Sequence, residues 1–397
     1  MDAIKFLKTF IVIIFCILFV SCTNDVQVGS SYQEQLLSLR NQSSMVYDEF
    51  PNIHYYLFGM GNRKKLIYHD HKLKGFINDS IYADFSKNFV SDSIIPYDYK
   101  VLVKTKYGKY EIKETEHGVF LNDSLLEGTS TYVHLPLFKD FVYDKILRVL
   151  HQELLFNIFD SMVMPNYAYQ RCFYRDAAYA AMVLKETSNI KLIEKWVTSI
   201  DSVYDHARGI SVKESDSPGE LLYLISFFPE KCKKIREEVL EEIENIKLKD
   251  KKTGKFYISG IVDGKIRANY STKWLIYGLK ANGIDTSKWI IPDASKDDYA
   301  DLFWMDFPKD GTQIHKLIWQ GKVWCQKPFS SNIVAYPYLN IARAHYYEDP
   351  SYLLLNRVNY PLSWEGKMDD KKDPHIASFT HVWCAAELFM YLLQFKK

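Results

Sequence analysis

In Phe173-Tyr174-Arg175-Asp176-Ala177-Ala178-Tyr179-Ala180-Ala181-Met182-Val183-Leu184 a charged pair stands directly before a run of small and straight-chain residues. Such a run has high helix propensity, which puts Arg175 and Asp176 at a helix N-terminus, where an aspartate complements the dipole and caps free N–H groups. Downstream, 191–204 repeats apolar residues at helical spacing (Leu192, Ile193, Trp196, Val197, Ile200, Tyr204) until Asp205-His206-Ala207-Arg208-Gly209 breaks it. A second polar loop, Glu214-Ser215-Asp216-Ser217-Pro218-Gly219-Glu220, follows. Pro218 suits the first turn of the next helix. Two polar loops at equivalent ends of successive helices can face one pocket. Taken singly, each of these charged residues also reads as an ordinary cap or surface charge.

Outward from this stretch the period of the apolar pattern divides the chain. Residues 46–140 read as a small antiparallel β domain. Tyr55-Tyr56-Leu57-Phe58 runs into the Gly59 and Gly61 turn, Leu66-Ile67-Tyr68 is its partner, and hairpin signals continue through Gly118-Val119-Phe120-Leu121. Alternation of Val, Ile, Tyr and Phe with polar residues implies a sheet wet on one face. Residues 141–397 read as helical, with helices expected over 143–159, 177–185, 191–204, 219–227, 231–246, 272–281, 336–347 and 378–395, and a hairpin around Val262-Asp263-Gly264-Lys265. The expected fold class is mainly α, a toroid of helical hairpins preceded by the β domain. In such an arrangement the long loops at one end form the binding face.

With 397 residues, 47% of them apolar, the chain can bury a large core. Nothing in a formal net charge of +1 suggests an obligatory polyanionic partner, and no nucleic acid is expected. Aromatic residues make up 15%, and all eight Trp lie at or beyond Trp196. Aromatic faces stack on the C–H faces of sugar rings, although a large core uses the same residues. Cys172, Cys232, Cys325 and Cys384 are widely spaced and read as buried free thiols rather than a disulfide scaffold. No H-E-x-x-H occurs, and neither a metal nor a cofactor is expected.

At the N-terminus Lys5 and Lys8 precede an apolar run from Phe10 to Val20, too short for a comfortable membrane span. It ends in Phe19-Val20-Ser21-Cys22, which resembles the lipobox of bacterial lipoproteins, with Phe19 where Leu is usual. The resemblance implies a signal peptide over 1–21, lipidation of Cys22, a linker over 22–45 and a body tethered to the cell envelope through acyl chains.

The helical region carries a second resemblance. Phe173-Tyr174-Arg175-Asp176, Glu214-x-Asp216-x-x-Gly219, Trp364-Glu365 and the closing His381-Val382-Trp383-Cys384-Ala385-Ala386-Glu387 are similar to the (α/α)6-barrel, six-hairpin glycosidases, the glucoamylase-like group. The resemblance implies an oligo- or polysaccharide substrate and an inverting hydrolysis, with Glu214 as general acid and Glu365 as the base that activates water. Arg175 and Asp176 would hold hydroxyls of the terminal sugar beside Tyr174, which stands where those enzymes usually carry Trp. The segment is short for twelve helices, so the toroid would be trimmed or partly open.

Read from the residues themselves, Asp216 is a like charge placed to raise the pKa of Glu214, and Trp364 is a candidate sugar platform. Two other functions fit the same sequence. A polysaccharide lyase would use a Tyr or His base with Arg or Lys against a uronate, with Tyr174, His206, Arg208, His375 and His381 among the candidates, and a non-catalytic glycan-binding lipoprotein would need only the aromatic residues.

The lipobox reading predicts that Cys22→Ser releases the protein from membranes without unfolding it. Mass spectrometry of the native chain with residues 1–21 still attached would contradict it.

Overall fold

The computed structural model describes residues 55–78, 80–165, 171–209, 211–292, 382–393 and 396–397. The described residues open with a meander of four antiparallel strands: β1 (Tyr55–Phe58), β2 (Leu66–His69), β3 (Lys72–Gly75) and β4 (Ile81–Asp84). A second meander of five follows: β5 (Phe89–Ile95), β6 (Lys100–Thr105), β7 (Gly108–Thr115), β8 (Gly118–Leu121) and β9 (Ser124–Leu125). In β6 burial alternates strictly, with Val101 and Val103 inside and Leu102 and Lys104 outside, as a half-wet sheet requires. β1 and β2 depart from that pattern, because all eight of their residues are buried.

The turn after β1 fastens the two sheets together. Gly59 adopts φ +103°, and a Cβ there would collide with the carbonyl of Lys64. The turn presents the N–H groups of Gly59 and Met60 to the buried carboxylate of Glu114 on β7, at 2.9 and 2.6 Å. Arg63 completes the clamp, pairing with Glu114 at 2.9 Å and donating to the carbonyls of Thr115, Glu116 and Thr131. Both side chains are fully buried. Loss of either would strand the other as an unpaired charge.

Helix α1 (Asp144–Phe156) packs on this β layer; Gln152 donates to the Leu57 carbonyl, and the Leu155 carbonyl accepts from Gly61. The remaining helices among the described residues are α2 (Tyr174–Glu186), the single turn α3 (Glu194–Val197), α4 (Ser217–Ile225), α5 (Lys233–Ile246), α6 (Ala268–Ala281) and α7 (Val382–Leu392). Helix α7 packs against both α1 and α2, α2 against α4, and α4 against α5 and α6. One continuous apolar core runs from Tyr56 on β1 to Leu392 on α7. Helices α4 and α6 approach so closely at Gly219 that a Cβ there would meet the backbone of Trp274 and Leu275. The glycine of the 214–220 loop therefore has a packing reason.

The fold class departs from the expected mainly α toroid. Among the described residues there are six helices beyond the single turn of α3, 35% of residues are helical and 24% lie in strands, with several antiparallel sheets. The class is mixed α/β. Part of the reason lies in segments whose apolar spacing reads as helix. In 191–204 the helix stops after α3, where Thr198 Oγ donates back to the Glu194 carbonyl and Ser199 Oγ to that of Trp196. Side chains that compete for the backbone in this way end helices despite apolar periodicity. The stretch after α1 likewise turns into a small hairpin, β10 (Ile158–Phe159) with β11 (Met162–Val163). Further two-stranded pairs, β12 (Leu248–Lys249) with β13 (Phe256–Tyr257) and β14 (Ile261–Val262) with β15 (Lys265–Ile266), occupy the loop between α5 and α6. The Asp263-Gly264 turn of the last pair has φ +49° and +73°, as a tight hairpin turn needs. The helix expected at 336–347 lies outside the described residues. Among the described residues no helix is long and apolar enough to cross a membrane.

Candidate functional site

Arg175, the second residue of α2, is buried and ringed by carboxylates from two other elements. Its Nε donates to Asp216 Oδ2 at 2.9 Å, Nη2 to Glu214 Oε2 at 3.1 Å and Nη1 to Asp263 Oδ2 at 2.6 Å. Glu220 Oε1 lies 3.9 Å from Nε, and the Trp383 ring of α7 covers the guanidinium at 5.4 Å. The loop before α4 supplies Glu214 and Asp216, the first turn of α4 supplies Glu220, and the β14–β15 turn supplies Asp263. Backbone contacts fix the loop and the β14–β15 hairpin against each other, since the Ser215 N–H donates to the Ile261 carbonyl at 3.2 Å. Ser215 and Ser271 share a buried hydroxyl–hydroxyl bond at 2.8 Å, which ties the loop to α6.

Glu214 is held on both oxygens. Oε2 faces Arg175, while Oε1 accepts the Asp263 N–H at 2.7 Å and lies 3.4 Å from Nε of Arg208. Arg208, which is half exposed, also donates to Asp263 and so bridges cluster and solvent. Burial raises the Glu214 carboxyl above its ordinary value of 4.5, and Asp216 adds to the rise against the opposing pull of Arg175 and Arg208. Burial raises Glu220 further, with Asp216 as the next cause. Four acids thus share two guanidinium groups, and the cluster carries protons at a pH where free carboxylates do not. Among the described residues no group of His, Cys, Asp and Glu is placed to hold a metal ion. Arg175 fills the centre of the acidic ring itself.

The start of α2 is built differently from the sequence expectation. Its N-cap, Phe173, makes no side-chain cap; Asp205 from the loop after α3 accepts the Tyr174 N–H at 3.0 Å. Asp205 also accepts the Ala207 N–H at 2.9 Å, and burial raises its pKa. Asp176 is buried in the first turn, where the helix dipole favours it. Tyr174 turns away from the acidic cluster, donates from its hydroxyl to the Ser202 carbonyl and lines a hollow with residues 196–207.

The sequence-predicted Arg175, Glu214 and Asp216 therefore meet in one cluster, with Tyr174 and Asp176 on the same helical turn. Glu365, Trp364 and Cys22 lie outside the described residues. Asp263 and Asp205 went unread as site residues: the first sits in what reads only as a turn, the second in what reads only as a helix break. Arg208 was visible only as a possible neutraliser of a uronate. Cys172 and Cys232 carry free thiols, half-buried and buried. Comparison with protein-family models, with curated proteins and with solved structures finds no match in any of the three.

Glu220 gives the cluster a signature in stability. Its folded pKa lies above the unfolded value, so between the two the folded state holds more protons, and stability falls as pH rises through that window. Glu220→Gln keeps the shape without the charge. Its melting temperature should exceed that of the unsubstituted protein above the window and converge with it near pH 4.5 or below, in thermal melts over about pH 4 to 8. A difference that stays constant with pH would contradict the raised carboxyl.

Proposed function

We propose that this chain is a carbohydrate-active enzyme that hydrolyses a glycosidic bond of an oligo- or polysaccharide, with the Glu214 carboxyl as proton donor. The observation that supports this reading most is the state of Glu214: burial raises its pKa, while Arg175 and the Asp263 N–H hold it in one orientation. Glycoside hydrolysis needs one protonated carboxyl to meet the leaving oxygen and one ionised carboxyl to activate water or attack. Groups in unlike environments divide those roles.

Arg175 and Asp216 act in this reading as positioning residues, because their charged groups are buried against each other. Arg208, exposed on one side, is the group that an arriving glycan would displace from Glu214. Glu365 is proposed as the base that activates water, with inversion at the anomeric carbon, and Trp364 as a sugar platform. The N-terminal sequence supports attachment of the enzyme to the bacterial cell envelope through lipid on Cys22.

General acid–base groups contribute about 10²–10⁴-fold each, so Glu214→Gln and Glu365→Gln should each lower turnover of a natural glycan by that order. An aryl glycoside with a good leaving group should restore the Glu214 variant and leave the Glu365 variant slow. Unchanged turnover in Glu214→Gln would contradict the assignment. An unsaturated uronide product would mark a lyase, and turnover of no glycan at all would leave binding as the function.

A further inference from the structure

Beside the acidic cluster, on the other side of the α2 N-terminus, lies a hollow of about 380 Å³. Tyr174, Trp196, Asp201, Asp205 and His206 line it, together with Arg171. We propose that this hollow binds one neutral pyranose ring, as a subsite distinct from the point of bond cleavage; the proposal rests on the reading of the substrate as a glycan.

Size, charge and hydrogen-bonding capacity all point the same way. Small-molecule sites span roughly 300–1,000 Å³, so this volume suits a single ring rather than a chain of them. The half-buried Trp196 provides an aromatic wall and packs against Tyr174 with ring centroids 6.5 Å apart. An aromatic face of this kind takes the apolar C–H side of a sugar ring. The charged lining is mixed: Asp201 and Asp205 stand against Arg171 and the imidazole of His206. Asp205 already accepts two backbone N–H groups, and Arg171 donates to the Ala207 carbonyl at 3.0 Å. Asp205 and Arg171 are thus already engaged by the backbone. A hydroxyl, which both donates and accepts, suits such a lining.

His206 supplies a directional acceptor. Ser202 Oγ donates its proton to the Tyr204 carbonyl at 2.8 Å, and in the tautomer with its proton on Nε2 the His206 ring donates to Ser202 Oγ at 3.1 Å. In the neutral ring this leaves Nδ1 as a bare acceptor. Nδ1 is buried and has no hydrogen-bond partner among the described residues. The atom is closed to solvent as it stands, so a ligand O–H would reach it after the ring turns toward the hollow. The residue holds φ +53°, a conformation uncommon for a non-glycine residue, kept here by the Ser202 and Asp205 contacts around it.

The test is a binding panel of methyl glucoside, galactoside and mannoside with glucosamine and glucuronate, read by calorimetry or ligand-observed NMR. The proteins are the unsubstituted chain, Trp196→Ala, Trp196→Phe and His206→Ala, each checked for an unchanged melting curve. At least one neutral glycoside should bind more tightly than both charged sugars. Trp196→Ala should weaken that binding about tenfold, and Trp196→Phe should recover part of the loss. His206→Ala should weaken it as well. Failure of every neutral glycoside to bind, preference for a charged sugar, or unchanged affinity in Trp196→Ala would overturn the subsite. Turnover separates the two claims: hydrolysis without an effect of Trp196 sinks the subsite alone, and Trp196-dependent binding without hydrolysis sinks the proposed reaction alone.

Discussion

A single guanidinium organises the helical half of this molecule. Arg175 sits where the start of α2, the loop before α4, the β14–β15 turn and the Trp383 face of α7 converge, and its nitrogens reach carboxylates on two of those elements. Burying a charge is costly unless it is paired and hydrogen-bonded. The cost is offset here only while all the contributing elements stay in place, so the cluster acts as a register for their assembly as well as a site. Its acids outnumber its bases, and burial then favours protonation of the acids least compensated by the arginines.

That imbalance links the architecture to the chemistry. Were the ring to contain a single acid, the pair would be neutral and the carboxyl would stay ionised. With Asp216 next to Glu214 and Glu220, and only Arg208 added from the solvent side, both carboxyls hold their protons to a higher pH than a free glutamate does, and Glu214 also touches the edge of the cluster. Asp205 extends the same field to the neighbouring hollow, because it feels both Arg175 and Asp216 while capping α2. Cluster and hollow are two faces of one helix start.

Much of this was legible in the residues, and the exceptions have physical causes. The Arg-Asp pair before a small-residue run placed α2, and the spacing of Glu214, Asp216 and Glu220 placed three acids at the start of α4. Pattern finds such elements because they are local. The fold class was misread in part because apolar periodicity over 191–204 says nothing of the Thr198 and Ser199 hydroxyls that draw on the helix carbonyls. Asp263 was invisible as a site residue because its role depends on a hairpin tip folding back across 88 positions to reach Arg175. In the same way, Asp205 caps a helix that begins 31 residues earlier. Tertiary partners of turn residues leave no mark on spacing.

The central claim is that the cluster leaves a proton on Glu214 at a pH where an ordinary glutamate has lost it. Isotope-edited infrared difference spectra of the full chain against Glu214→Gln would isolate the carboxyl band of this residue during a pH titration. The account predicts a protonated carboxyl band that persists above the ordinary 4.5 and disappears at higher pH. A band already lost at or below that value would contradict it.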